Sequence, residues 1–176
     1  MSIDRAKALK AAQKYLARGQ LDKAIVEFEK VVASDPKDAR SALKLGDLFT
    51  RKGDTARAAA AYHEVAQQYA QQGQFLKAVA VFKQILKLDP AQLDALSSLG
   101  DMYERLGLAS DALLTYEQVA AAHARTGNER RALQALDKVT QLDPGNVAAW
   151  VRYAEALSKA REVDRAVAAF AQGADL

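Results

Sequence analysis

The stretch "LKAVAVFKQILKLDP", residues Leu76–Pro90, decides the fold, because two other stretches of the chain share its outline. They are "DKAIVEFEKVVASDP", which ends at Pro36, and "RRALQALDKVTQLDP", which ends at Pro144. The three prolines are the only ones in the sequence, and they are evenly spaced. Proline lacks a backbone donor and disfavours helix in the residue before it, so each Asp-Pro pair predicts the end of a helix. The chain therefore carries an internal repeat, and the repeated stretches are predicted helices.

Apolar residues and glycines extend this pattern along the whole chain. The quoted stretch places its apolar residues at i, i+1, i+4, i+7 and i+8, which is one face of a helix; they are Ala78, Val79, Phe82, Ile85 and Leu86. Further turns are marked by glycines that follow one another at alternately long and short intervals, at Gly19, Gly53, Gly73, Gly107 and Gly127. The next long interval, counted from Gly127, leads to Arg161. Arg161 therefore marks a further predicted turn, one that lacks the glycine.

These breaks predict an all-α chain of ten helices with no strand. The helices are expected at about 4–17, 21–34, 38–51, 55–71, 75–88, 92–105, 109–125, 129–142, 146–159 and 163–174. Because the loops are short, neighbouring helices must be antiparallel hairpins.

Composition excludes several classes of protein. Half of the 176 residues are hydrophobic and only 7% are aromatic, so alanine and aliphatic side chains must form most of the core. The absence of cysteine excludes disulfides, thiolate chemistry and sulfur-ligated zinc, and it fits a cytoplasmic protein. The sequence has no apolar run long enough for a membrane helix and no secretory signal pattern at its start.

The charge is uneven along the chain. Residues 1–90 carry 16 Lys and Arg against 10 Asp and Glu, whereas residues 91–176 carry 9 against 12. A pI near 9.1 alone could suggest nucleic acid, but no DNA- or RNA-binding motif accompanies it. The basic residues alternate with acids, as on a solvated helix face.

The chain resembles the tetratricopeptide repeat (TPR) superfamily, whose 34-residue unit is a helical hairpin. Window 39–72 carries the signature residues Leu45, Gly46, Phe49, Gly53, Ala58, Tyr62 and Val65. Window 93–126 carries Leu99, Gly100, Tyr103, Gly107, Ala112, Tyr116 and Val119. Windows 5–38 and 147–176 match as well, the latter incompletely. The resemblance implies one repeat domain over 1–176 that winds as a right-handed α-solenoid.

Two further windows, 59–92 and 113–146, overlap those at 39–72 and 93–126. Helices 55–71 and 109–125 therefore satisfy two registers, as the second helix of one unit and the first helix of the next. The overlap turns the repeat into a 54-residue period of three helices, which is the spacing of the prolines. Since a regular solenoid alternates its helices between two layers, this period leaves open which helices line the concave face.

The resemblance implies a non-catalytic scaffold or adaptor that binds a peptide, helix or folded protein, with no cofactor. Its dense repeats are similar to those of bacterial regulatory scaffolds, including motility and secretion types. An acidic partner is favoured near the N-terminal half, through basic residues on the first helices. The candidate partner-binding residues are Lys10, Gln13, Arg40, Lys44, Asp47 and Arg51. The family's carboxylate clamp is not expected, because its Lys and Asn positions fall on Leu9 and Gln13.

The remaining polar and aromatic residues favour packing over chemistry. An acidic residue recurs once in every three-helix period, at Asp47, Asp101 and Glu155. These residues either form an acidic strip along a groove or are copies of one useful helix residue that was duplicated. His123 holds a packing position, whereas His63 is expected on the surface. Trp150 also falls on a packing position. No metal, nucleotide or catalytic motif accompanies them, so an enzyme is not predicted.

The alternative function is self-assembly. The last window stops at Leu176, before its proline and without a polar capping helix. Because solenoids normally cap their ends, we expect either a fragment of a longer protein or a C-terminal hairpin buried by a partner or a second copy.

Overall fold

The computed structural model describes residues 4–176 as ten α-helices joined by short turns, with no strand in that part of the chain. The helices are α1 (Arg5–Ala17), α2 (Leu21–Ser34), α3 (Ala39–Lys52), α4 (Thr55–Gln71), α5 (Phe75–Leu88), α6 (Leu93–Arg105), α7 (Ala109–Arg125), α8 (Glu129–Leu142), α9 (Val147–Lys159) and α10 (Val163–Ala174). All ten predicted helices are confirmed, with bounds that agree to within one residue.

Four of the five one-residue differences lie at helix N-termini, where a polar residue outside the helix is the N-cap, and the fifth is the end of α3 at Lys52. The Asp38 carboxylate accepts a hydrogen bond from the Ser41 N–H at 3.2 Å, and the Asn146 side chain accepts one from Ala149 at 3.0 Å. A capping residue has non-helical dihedrals, so α3 and α9 begin one residue later than predicted. At the other end, α2, α5 and α8 each stop immediately before an Asp-Pro pair, as expected.

The tight turn between the two helices of a hairpin needs one residue with left-handed backbone dihedrals. Gly53 closes α3 with φ of 80°, a conformation that glycine adopts without steric cost. The corresponding turn between α9 and α10 uses Arg161 at φ of 62°, the one non-glycine residue with positive φ among residues 4–176. The predicted break at Arg161 is confirmed, and it carries backbone strain that the glycine turns avoid.

The helices form two compact units, one that runs to Ala91 and one that spans Gln92–Leu176. Unit 1 contains α1–α5 and unit 2 contains α6–α10. Within each unit, successive helices pack as antiparallel neighbours. The core of unit 2 consists of small and aliphatic side chains around Tyr153 and Leu157. Among the described residues, no helix combines the length and apolar character needed to cross a bilayer.

Small residues let the helices of a hairpin approach closely. A Cβ atom on Gly46 of α3 would lie 2.6 Å from Cε1 of Tyr62 on α4, which is closer than carbon atoms can pack. A Cβ atom on Gly100 of α6 would lie 2.9 Å from Cε1 of Tyr116 on α7. The two glycines therefore make room for the aromatic rings that fill each hairpin.

Candidate partner-binding surfaces

Unit 1 contains a groove between α1 and α3 with α2 as its floor, which we call the α1–α3 groove. Its volume is about 590 Å³. It is lined by Arg5, Leu9, Gln13, Leu16, Phe28, Asp38, Arg40, Ser41, Leu43, Lys44 and Asp47. Four of the six predicted binding residues therefore lie together: Gln13, Arg40, Lys44 and Asp47. Lys10 and Arg51 are exposed but lie outside this lining.

The basic side chains of this groove differ in their partners. Arg5 donates to the Asp38 carboxylate at 2.5 Å and lies 3.8 Å from Asp35. Arg40 and Lys44, one turn apart on α3, form no ion pair within residues 4–176. The wall formed by α3 therefore presents two cations without ion-pair partners to the groove, beside the carboxylate of Asp47.

The recurring acids have a local structural role. Tyr62 donates its hydroxyl to Oδ1 of Asp47, and Tyr116 donates to Asp101 in the same way. Glu155, the third member of the series, is exposed, and its hairpin carries Phe170, which has no hydroxyl, at the tyrosine position. Aspartate therefore occurs together with tyrosine, whereas the hairpin with phenylalanine has glutamate, and the sequence already shows this pairing as a covariation between two positions of the repeat. It favours duplication of a useful residue over an acidic strip.

Unit 2 contains a smaller cavity that the sequence did not predict, which we call the His123 cavity. Its volume is about 200 Å³ and it lies between α6, α7 and α8. It is lined by Asp94, Ser97, Asp101, Tyr116, Val119, His123, Arg131, Gln134, Ala135 and Lys138. His123 is 4% exposed, which confirms the predicted buried position, and its Nδ1 atom has no hydrogen-bond partner in the structure. An orphaned buried nitrogen beside a cavity is a candidate contact for a bound group.

The charged groups at this cavity are mostly paired. Arg131 donates to Asp94 at 2.6 Å, and Lys138 donates to Glu104 at 2.9 Å. The Tyr116 hydroxyl lies 2.6 Å from Asp101 and 3.0 Å from Glu104. Because a phenol has only one proton to donate, it can satisfy only one of these two carboxylates at a time.

The pKa values of three titrating groups at the cavity are shifted away from neutral pH. Burial, with the hydrogen bond to Asp101, raises the pKa of Tyr116 well above its usual value. The hydrogen bond from Lys138 lowers the pKa of Glu104. Burial, with the charge of Arg131, lowers the pKa of His123. A general acid or base works best with a pKa near the operating pH, and each of these shifts moves the pKa away from it.

Helix α7 lines a second surface of unit 2 with its other face. A shallow groove of about 310 Å³ lies between α7, α8 and α9, and small residues such as Ala121 and Ala124 line it. Tyr116 and His123 of the same helix face the His123 cavity instead. A helix that fits two repeat registers therefore contributes to a different surface with each of its two faces.

The other singled-out aromatic residues are structural. Trp150 is half-buried against the core of unit 2, and its indole N–H donates to the Pro144 carbonyl at 2.9 Å, which confirms a packing role. His63, which is expected on the surface, is only partly exposed. Its ring is half-buried, with its centroid 5.9 Å from that of Phe82 in an edge-to-face contact, because α5 packs beside α4 at this point. Among residues 4–176, no group of three or more His, Asp and Glu side chains is placed to hold a metal ion.

Sequence comparison with protein families gives four matches that together cover nearly the whole chain. Models described as "Tetratricopeptide repeat" match residues 9–71, 95–143 and 123–175, and one described as "TPR repeat" matches residues 66–107. The matches overlap at residues 66–71, 95–107 and 123–143. A search of curated proteins gives no match.

A solved structure with a TM-score above 0.5 shows the same fold. The chain is similar to a signal transduction ATPase with numerous domains from Pyrococcus horikoshii, a protein with a tetratricopeptide repeat sensor, at 18% identity and a TM-score of 0.61. That similarity covers 97% of this chain and 32% of the other. MamA (residues 41 to the end) from Desulfovibrio magneticus RS-1 matches at 17% identity and a TM-score of 0.35, covering 100% and 97% of the two chains. A tetratricopeptide repeat protein from Parabacteroides merdae matches at 16% identity and a TM-score of 0.34, covering 94% and 77%.

Proposed function

The chain belongs to the tetratricopeptide repeat superfamily, and on that premise we propose that it is a non-catalytic protein-interaction scaffold. Its partner is a protein segment with acidic side chains, and the segment binds in the α1–α3 groove. The observation that carries the proposal is the position of Arg40 and Lys44 on the groove wall without ion-pair partners among the described residues.

Physical chemistry supports this assignment. A cation that is not yet compensated gains more from an incoming carboxylate than one already held in an ion pair such as that of Arg5 with Asp38. Leu9, Leu16 and Leu43 supply apolar surface in the same groove, so a partner can bury hydrophobic side chains beside the charged contacts. Shape and apolar contact then supply affinity, while charge selects the partner.

Selection of random peptides against the intact chain tests the proposal. We expect the selected peptides to be enriched in Asp and Glu, and the Arg40→Glu/Lys44→Glu variant to bind them at least about tenfold more weakly. Lys87→Glu/Arg130→Glu is the matched control, because it makes the same change in charge at two exposed sites outside the groove. Peptides without acidic enrichment, or equal loss of affinity in both variants, would contradict the proposal.

A second candidate function is self-association through α10, and exposure of its apolar residues favours it. Phe170 is 44% exposed, whereas the residues at its repeat position in the other hairpins are buried; they are Phe28, Tyr62, Phe82, Tyr116 and Leu136. Val163 and Val167 lie on the same stripe of α10 and are 64% and 63% exposed. The stripe carries no charge, so a second copy could pair with it about a two-fold axis and bury both stripes.

Absolute mass over a hundredfold dilution series distinguishes the two functions. Self-association requires a mass that rises above 19.1 kDa with concentration and a monomer when Val167 and Phe170 are both changed to Gln. Val26→Gln/Leu76→Gln, at exposed apolar sites of unit 1, should leave the dimer intact. A constant mass of one chain at every concentration would eliminate this candidate.

A further inference from the structure

We propose that the outer face of α1 is an electrostatic contact surface for an anionic lipid bilayer. The face carries four exposed cations, which we call the α1 basic stripe: Lys7, Lys10, Lys14 and Arg18. The inference goes beyond the proposed interaction function, because it assigns a second surface of unit 1 to a partner of another class. It is carried by the position of these cations, by their lack of ion pairs, and by a comparison with the equivalent helices.

The four cations form one line along α1 and its C-cap. Spacings of three, four and four residues keep them within about 80° of the helix circumference, over a length of about 16 Å. Helical geometry puts the residues of α1 that line the α1–α3 groove on the opposite side; they are Arg5, Leu9, Gln13 and Leu16. The stripe and the groove are therefore separate surfaces.

No carboxylate pairs with the stripe. None of its cations forms an ion pair within residues 4–176, and the sequence has no acidic residue from Arg5 to Arg18. Asp4, which precedes α1, accepts a hydrogen bond from the Lys7 backbone N–H and caps the helix. The acids of α2, the helix packed against α1, are held by cations outside the stripe; the pairs are Asp22 with Lys52, Glu27 with Lys30, and Glu29 with Arg57. The face therefore keeps an excess of positive charge.

The stripe occupies repeat positions that serve packing elsewhere. The residues equivalent to Lys7 and Lys14 in the first helices of later repeats are buried; they are Ser41 and Leu48 in α3, and Ala95 and Met102 in α6. In α1, cations thus replace small or apolar packing residues. Since burying an unpaired cation is costly, this face is unsuited to packing against another helix of the repeat and suited to a charged partner.

A flat anionic surface fits this face better than a folded protein or a nucleic acid. The four residues line none of the cavities described above, so they offer a convex row that lacks the apolar centre of a protein interface. Tyr15 is the one aromatic residue of α1, and the Nζ atom of Lys23 lies 5.7 Å from its ring centroid, so the stripe has no free ring on which a base could stack. Clusters of four or more Lys and Arg on an amphipathic helix favour anionic lipid headgroups.

The contact is electrostatic and does not insert the helix. Ala8 and Ala12, on the apolar side of α1, are 5% and 0% exposed, so this side is already used in packing. Binding through exposed cations alone is screened by salt, because the field of a charged lipid surface decays over the Debye length.

Sedimentation of the intact chain with lipid vesicles tests the inference. The vesicles are phosphatidylcholine alone, or phosphatidylcholine with about 30% phosphatidylserine. We expect binding only to the vesicles that contain phosphatidylserine, with a partition coefficient that falls about tenfold or more between low salt and about 0.5 M salt.

Two double variants locate the contact on the stripe. Lys10→Glu/Lys14→Glu should lower the partition coefficient about tenfold or more, and Lys10→Gln/Lys14→Gln should lower it less. Glutamine is a good helix former, so the second variant keeps the test readable if charge reversal disturbs α1, which circular dichroism would show. Lys87→Glu/Arg130→Glu is the matched control, since it makes the same change in charge at exposed sites outside the stripe and should lose little binding.

The groove variant Arg40→Glu/Lys44→Glu separates this inference from the proposed function. It should bind vesicles as the matched control does, even though it loses acidic peptides. The inference is overturned if the chain does not bind phosphatidylserine vesicles at low salt, or if the stripe and control variants lose the same affinity. It is also overturned if an oligonucleotide binds more tightly than the vesicles and the stripe variant loses that binding, which would assign the stripe to nucleic acid.

Discussion

The Tyr62 hydroxyl donates a hydrogen bond of 2.8 Å to Oδ1 of Asp47, across the hairpin formed by α3 and α4. The same bond recurs in unit 2, where Tyr116 lies 2.6 Å from Oδ1 of Asp101. Both hydroxyls are attached to rings that pack against a glycine of the preceding helix. Each hairpin is therefore held by a set of three residues, in which a glycine makes room for the tyrosine and an acid fixes its hydroxyl.

Removing the two hydroxyls should not have equal effects. Tyr62→Phe is expected to lower the free energy of unfolding by about 1.5 kcal/mol, since it removes one hydrogen bond to a charged acceptor. Tyr116→Phe should cost more, because Asp101 and Glu104 both lose their shared donor and repel each other more strongly. Urea unfolding of both variants measures the difference. A double-mutant cycle between Tyr116→Phe and Asp101→Ala should give a coupling of about 1 kcal/mol, and a coupling near zero would show that the bond is not formed in solution.

Adding one methyl group at Gly46 should destabilise unit 1. The new Cβ would lie 2.6 Å from the Tyr62 ring, and overpacking of this kind costs about 1–3 kcal/mol. Alanine also gains roughly 1 kcal/mol in helix propensity, which offsets part of the cost. The same gain applies to Gly100→Ala, where the distance is 2.9 Å, so the stability difference between the two variants isolates the steric term. Thermal unfolding should rank Gly46→Ala below Gly100→Ala, and the opposite order would contradict the packing described here.

The depressed pKa of His123 makes stability depend on pH. Its folded-state pKa lies below the ordinary 6.5, because burial and Arg131 disfavour the charged ring, although Asp94 opposes them weakly. The unfolded chain therefore binds the proton first as pH falls, and the contribution of the neutral ring is complete above 6.5 and lost as pH falls below it. Unfolding free energies measured from pH 8 to pH 5 should decline more steeply for the wild type than for His123→Tyr, which has the residue found at this position in unit 1. Parallel curves for the two proteins would exclude the shift.

Much of the fold could be predicted because the residues that end its helices act locally. Proline and glycine act on their own backbone and immediate neighbours, so Pro36, Pro90 and Gly53 located helix ends to within a residue. The grouping of Arg40, Lys44 and Asp47 was predictable for a similar reason, since they share one helix face and their spacing alone brings them together.

The His123 cavity could not be predicted in this way. It depends on the pairing of Arg131 with Asp94, which are 37 residues apart, and on the packing of three helices around a side chain that resembles an ordinary core residue. For Lys10 and Arg51, the charge could be predicted but the position relative to the groove could not. They match the charge expected of the binding face, but whether an exposed side chain lines a groove depends on the neighbouring helix, so both lie outside it.

The repeat position that Phe82 and Phe170 share should differ in importance between the two units. Phe82 is 1% exposed in unit 1, whereas Phe170 at the equivalent place in unit 2 is 44% exposed. Phe82→Leu should therefore lower the unfolding free energy by about 1 kcal/mol or more, and Phe170→Leu by less than about 0.5 kcal/mol. Denaturant titration at a concentration where the chain is monomeric provides the measurement. An equal loss at both sites would mean that Phe170 is buried in solution, as a paired α10 would require.

Arg161 offers a substitution that should increase stability. Its φ of 62° places a side chain in the left-handed region, which costs an L-residue roughly 1–2 kcal/mol and glycine almost nothing. Arg161→Gly removes this strain but increases the freedom of the unfolded chain, so the net gain should be up to about 1 kcal/mol. Arg161→Ala is the matched control, because it deletes the same side-chain atoms but keeps the Cβ and its strain. If the gain in melting temperature appears with glycine alone, the backbone is its cause; if alanine gives the same gain, the stabilisation comes from losing the exposed guanidinium, and the strain at this turn is negligible.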